Sequence, residues 1–205
     1  LVITFTTCFN IISVHQPATA MAGETINIIV NVEILDDPHT DGIGVDGSIF
    51  VFGLLAPKSW NAAENTSVSI SSSPFSTTLS TMPEGELEPK DGFAWTETIE
   101  SLNSGGFGEN YGEVEWIMFK ADTAYNPQPV DLPLTGTVNI ETTVGPKNMI
   151  TQLGYFIGDA EWGTWEMRDN FSFFYTDCIE ITDGEGEIMN LCGPPPASGT
   201  VDIFP

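Results

Sequence analysis

The sequence predicts an all-β sandwich of at least eight strands with one short helix in a connection. Three observations carry that expectation. Several segments alternate apolar and polar residues with period two, the pattern of a half-buried strand. Helical periodicity is confined to Ala94–Leu102, roughly two turns inside a long connection. Of the 205 residues, 41% are hydrophobic and 11% aromatic, enough to bury a sizeable core in one large domain or two small ones.

Taken in order, Val2–Val14 is rich in Val, Ile, Thr and Phe and reads as a strand. Pro17 and Ala22-Gly23 supply turns ahead of Glu24–Leu35, where Ile26, Ile28, Val30, Val32 and Ile34 share one face. Gly47–Leu55 is apolar on both faces, so a central strand is expected there. Thr66–Ser72 alternates Val68 and Ile70 with serines, Glu113–Lys120 carries Trp116, and Leu134–Val144 alternates Val138, Ile140 and Thr142. Asn148–Gly158 and Phe171–Thr182 complete the set. Gly193–Gly199 is a stiff proline linker. The expected organisation is therefore an N-terminal strand over 1–14, self-paired or donated to a neighbour, a sandwich over 15–192, and a linker with the start of a further segment over 193–205. An unpaired strand edge recruits partners, so the first strand must be paired at home or in the next subunit.

The formal net charge is −24, with 5 Lys+Arg against 29 Asp+Glu. Nucleic acid is excluded as a partner, because phosphate neutralisation needs clustered Lys and Arg. Anionic lipid surfaces are excluded on the same ground. Cations, neutral sugars and basic partners remain. With no apolar run of 18 or more residues, no membrane-spanning segment is expected.

Cys178 and Cys192 flank Ile179–Leu191, which reads as two short strands around a Gly-rich turn. A disulfide closing that loop would contribute about 3 kcal/mol in the chain-entropy model and implies an oxidising compartment. Metal ligation lacks the further Cys or His it needs. His15 and His39 stand alone in turn regions without a Ser or Cys motif, so nucleophilic catalysis finds no support.

Two stretches carry resemblances. Ser13–Ile28, Phe52–Trp60, Val114–Lys120 and Leu153–Gly158 together resemble an uncharacterised family of Bacteroidetes cell-surface proteins, over most of residues 13–182. That likeness implies an immunoglobulin-like sandwich with no assigned activity. Val201-Asp-Ile-Phe-Pro205, after the proline linker, resembles the opening of a type IX secretion sorting domain. Together they imply an extracellular or outer-surface protein. Leu1–Cys8 also resembles the end of a lipoprotein signal, in which Cys8 would be the acylated residue; the competing reading is the strand already given.

The remaining site candidates are loops. Asp36, Asp37, Asp41 and Asp46 lie among glycines between two strands, the oxygen-rich turning backbone that suits Ca²⁺; a solvated acidic turn is the alternative. Ca²⁺ is the one cofactor the pattern admits. Trp162 and Trp165 stand beside Glu161 and Glu166, a combination that suits contact with sugar rings; the alternative packs the tryptophans on the sandwich end. Asn65-Thr-Ser67 and Asn170-Phe-Ser172 fit the N-linked acceptor pattern. Asp122-Thr-Ala124 resembles the Bacteroidetes O-glycosylation acceptor, with Thr123 modified. The reading that results is a non-enzymatic extracellular structural or adhesive protein, with self-assembly into filaments by strand addition as one mode. A glycan-binding module is the alternative.

Overall fold

The computed structural model describes residues 9–34, 48–72, 76–82, 112–123, 133–161 and 167–193. They form eleven strands in one sheet. In chain order these are β1 (Phe9–His15), β2 (Thr19–Met21), β3 (Thr25–Ile34), β4 (Ser48–Pro57), β5 (Thr66–Ser72) and β6 (Ser76–Thr81). β7 (Val114–Ala121), β8 (Leu134–Thr143), β9 (Lys147–Glu161), β10 (Met167–Thr182) and β11 (Glu185–Leu191) follow. The spatial order is β1-β3-β8-β5-β6-β7-β4-β9-β10-β2, with β11 on β9.

That path starts at β1 and ends at β2, which are consecutive in the chain. Gln16, Pro17 and Ala18 thus join the two ends, and the sheet rolls into two facing layers with a seam at these residues. β1, β3, β8, β5 and β6 make the first layer. β6 passes into the second through the pairs Leu79↔Ala121 and Thr81↔Phe119 with β7.

The first layer has the alternation read from the sequence. Ile26, Ile28, Val30, Val32 and Ile34 are buried, and each contributes about 1.5–3 kcal/mol relative to exposure. Phe9 of β1 meets Phe50 of β4 edge-on at 6.1 Å between ring centroids, which identifies Phe50, Phe52 and Leu54 as the face turned toward the first layer. The second layer is buried on both faces. On its far side Trp116, Met118, Phe156 and Phe173 surround Gly53, where a Cβ would lie 3.0 Å from both Met118 Sδ and Phe156 Cβ. Glycine is required there to admit the rings.

A 3₁₀ turn (Lys58–Trp60) and a single helical turn α1 (Ala62–Asn65) follow β4 and bury Trp60. The helix expected at Ala94–Leu102 lies outside the described residues.

Cys178 and Cys192 are disulfide-bonded, with Cα atoms 5.9 Å apart. The strands expected on either side of the turn are the end of β10 and β11, but they do not lie side by side. β10 and β11 both pair with β9, antiparallel and parallel respectively, and Met149 faces Ile181 on one edge and Met189 on the other. The chain crosses from β10 to β11 over the start of β9, so closely that a Cβ on Gly184 would stand 2.7 Å from Pro146 O. Asn148 secures the crossing: its Nδ2 donates to Gly184 O (2.9 Å) and Gly186 O (3.0 Å), and its Oδ1 accepts from Gly184 N (2.7 Å). The covalent ring therefore frames the first residues of β9.

Candidate functional site

Two surfaces are built by this fold. The first is the outer face of the first layer. Because side chains alternate across a strand, burying Ile26, Ile28 and Val30 turns Asn27, Ile29 and Asn31 outward. Register aligns them across neighbours: Ser13, Asn31, Thr137, Ser71 and Ser76 form one row across five strands. Ile29, Asn139, Ser69 and Thr78 form the next. Within the first row Asn31 Nδ2 donates to Ser13 Oγ (2.9 Å), and the Thr137 hydroxyl donates to Asn31 Oδ1 (3.4 Å). The face spans about 19 Å across the strands at the usual sheet spacing. Among its outward positions on β3, β8, β5 and β6, Glu33 and Glu141 bring charge. The other outward positions of these four strands are hydroxyls and amides apart from Ile29.

The second surface is the seam. Pro17 has no N–H and a fixed φ, so the ladder with β3 ends before it and the chain moves across to β10. Opposite, β10 loses register with β9 between Tyr175 and Cys178, and such a bulge bends its strand. The two irregularities leave a groove of about 400 Å³ lined by Val14 to Ala18 and by Phe174 to Cys178. Its floor is fixed by hydrogen bonds. Buried Tyr155 donates its hydroxyl to Gln16 Oε1 (2.8 Å), and Gln16 Nε2 donates to Asp177 O (2.9 Å). Behind them Gln152 Nε2 donates to Thr176 O (2.8 Å). Burial pushes the Tyr155 phenol far above its ordinary value, against a weaker downward pull from a hydrogen bond with the Thr176 side chain, so the hydroxyl remains a donor. Val14, Pro17 and Phe174 give apolar walls, while His15 and Asp177 are exposed at the rim.

The sequence signals for this groove were the turn at Pro17 and His15, which was expected in a turn region and instead closes β1. Its other half comes from β10 and is brought there only by the rolling of the sheet. Of the site residues expected from sequence, Asp36, Asp37, Asp41, Asp46, Trp162, Trp165, Glu166 and Cys8 lie outside the described residues. Glu161 closes β9 opposite Ser48, its side chain outside the description. Among the described residues, no group of three or more His, Cys, Asp or Glu side chains is placed to hold a metal ion. No helix among them is long and apolar enough to cross a membrane.

Thr123 is exposed just beyond β7. The carboxylate of Asp122 beside it accepts from the Thr78 and Ser80 hydroxyls, the latter at 2.5 Å, so Asp122 is anchored to the edge of the polar face. Asn65 ends α1, and its Nδ2 donates to Trp60 O at 3.0 Å.

Residues 9–195 match the family model of a domain of unknown function, DUF4961. Among curated proteins, none matches this sequence. Solved structures include similar ones. The enzyme of "AvmM Catalyzes Macrocyclization in Alchivemycin A Biosynthesis" has a TM-score of 0.37 and 11% identity over 85% of this chain and 89% of its own. The collagen-binding domain of a Staphylococcus aureus adhesin has a TM-score of 0.28 and 10% identity, over 84% of this chain and 98% of that one. The C-terminal domain of the Streptococcus agalactiae AgI/II polypeptide BspA has a TM-score of 0.32 and 10% identity, over 85% and 46%. Likeness this distant assigns the chain neither a ligand nor an activity.

Proposed function

The chain belongs to the DUF4961 family, and on that premise we propose that it is a non-enzymatic, extracellular adhesive domain. The disulfide between Cys178 and Cys192 supports the compartment, since such bonds persist in oxidising surroundings. The observation that carries the adhesive reading is the hydroxyl- and amide-rich outer face of the first layer. Rows of hydroxyls and amides both donate and accept hydrogen bonds, which suits a neutral, hydroxyl-rich polymer such as a glycan. The chain's net charge of −24 keeps the protein soluble without opposing a neutral ligand. Retention on immobilised neutral polysaccharides tests this. Thr137→Glu and Asn139→Asp place carboxylates in the two central rows and should each weaken retention several-fold. Unchanged retention would remove this face from the reading.

Head-to-tail assembly by strand addition is the second reading. It is favoured by Ile12, 55% exposed at the bulge of β1, the terminal strand of the sheet order. Phe9–His15 are held by β3 of the same chain, so the donated segment would be Leu1–Cys8. A contact of this kind does not close and builds fibres. Deleting residues 1–8 should abolish oligomers in sedimentation while the body stays folded. Ca²⁺ at Asp36–Asp46 belongs to the same proposal, because a cation between subunits offsets their repulsion. It predicts a rise in melting temperature at millimolar Ca²⁺.

A further inference from the structure

We propose that the seam groove binds a basic side chain, lysine or arginine, presented by an extended segment of a basic partner polypeptide. The walls fit that ligand part by part. Val14 and Pro17 offer apolar surface to an aliphatic stem. Phe174 places a half-buried ring in the groove, and aromatic faces attract cations. Asp177 sets an exposed carboxylate at the rim, and its own carbonyl is committed to Gln16, which holds that wall in place. Tyr155 holds Gln16 from below through its hydroxyl.

Charge points to the same ligand. A net charge of −24 gathers cationic segments near the surface. That field is screened within about 8 Å in physiological salt, so selection among cations has to come from short contacts in a shaped site. The groove is a concavity that offers them. It opens between the β1–β2 connection and the bulge of β10, which suits an extended segment more than a compact one. This proposal does not rest on the neutral-glycan reading of the adjoining outer face, and either can fail without the other.

The test titrates the full chain with a blocked peptide alternating arginine and glycine, with its lysine counterpart, and with a citrulline counterpart of the same shape but no charge. Amide shifts locate binding and calorimetry gives affinity. Phe174→Leu keeps the apolar volume but removes the ring, and Asp177→Asn removes the carboxylate; each should weaken the basic peptides about 5–10-fold. Asp183→Asn removes the same charge from the exposed β10–β11 turn and should change affinity less than about 2-fold. Ala18→Arg, which sets a cation of the chain's own at the rim, should compete and weaken binding as well. The proposal is overturned if Asp183→Asn costs as much as Asp177→Asn, if the citrulline peptide binds equally well, or if the shifts fall away from Phe174 and Asp177.

Discussion

Gly154→Ala tests the packing of the second layer. A Cβ on Gly154 would lie 2.8 Å from Tyr175 Cε1, 3.1 Å from Tyr175 Cδ1 and 3.1 Å from Leu55 Cβ. Carbon atoms rest about 3.5–4.0 Å apart, so the ring must withdraw by most of an ångström. It has little room to do so. Trp116, Leu55, Gly154 and Tyr175 stand in one cross-strand row, and Leu55 is fully buried. Over-packing of this kind costs about 1–3 kcal/mol. Alanine returns about 0.4–1 kcal/mol by stiffening the unfolded chain. The balance is a destabilisation of about 0.5–2 kcal/mol, or a melting-temperature drop of about 1–8 °C for a chain of this size. Urea and thermal unfolding followed by circular dichroism measure it. Tyr175→Leu in the same chain should be less than additive with Gly154→Ala, because the two share one contact. Gly23→Ala is the contrast: nothing lies within 4 Å of its Cβ position, and its φ of +78° makes the loss conformational. A Gly154→Ala protein as stable as the parent, or strict additivity with Tyr175→Leu, would refute the steric account.

Two further outcomes follow from the buried chemistry. Replacing Cys178 and Cys192 by serine should lower unfolding stability by about 3 kcal/mol, the chain-entropy value for a loop closed over a sequence separation of 14; alkylation of both sulfurs without reductant would show that the bond is absent. Tyr155 is held protonated in the fold, whereas an unfolded tyrosine ionises near pH ~10. Its stabilisation is therefore complete below about pH 10 and is lost as pH rises beyond it. Tyr155→Phe cannot ionise, so its alkaline limb should be flatter, at a cost of about 1 kcal/mol near neutrality for the hydrogen bond to Gln16. Parallel limbs would count against burial as the cause.

β3, β5 and β8 were legible because one of their faces is core and the other solvent, so the period-two pattern is written in the residues themselves. β4 was legible for the opposite reason, being buried on both faces. β6 was not, since Leu79 is its one buried side chain and the rest is Ser and Thr. β2 has three residues, and its parallel pairing is imposed by β10 rather than by any local pattern. The disulfide could be read from spacing, but the strand between its two arms could not, because β9 arrives there from earlier in the chain. The groove was illegible on the same principle: neither Pro17 nor the β10 bulge makes a cavity until the roll brings them face to face.

The ring that frames β9 also changes how the chain would carry tension. A pull applied beyond Cys192 reaches Cys178 through sulfur rather than through the backbone of β11, so the load enters β10 directly. β10 is anchored there by its antiparallel ladder with β9 and by β2. The hydrogen bonds of β11 stay slack, and the 14 residue steps between the two cysteines never pay out; with 5.9 Å left between their Cα atoms, the fully stretched tether is shorter by about 40–45 Å. Under reducing conditions that length is restored, and β11 becomes the first strand to bear the force.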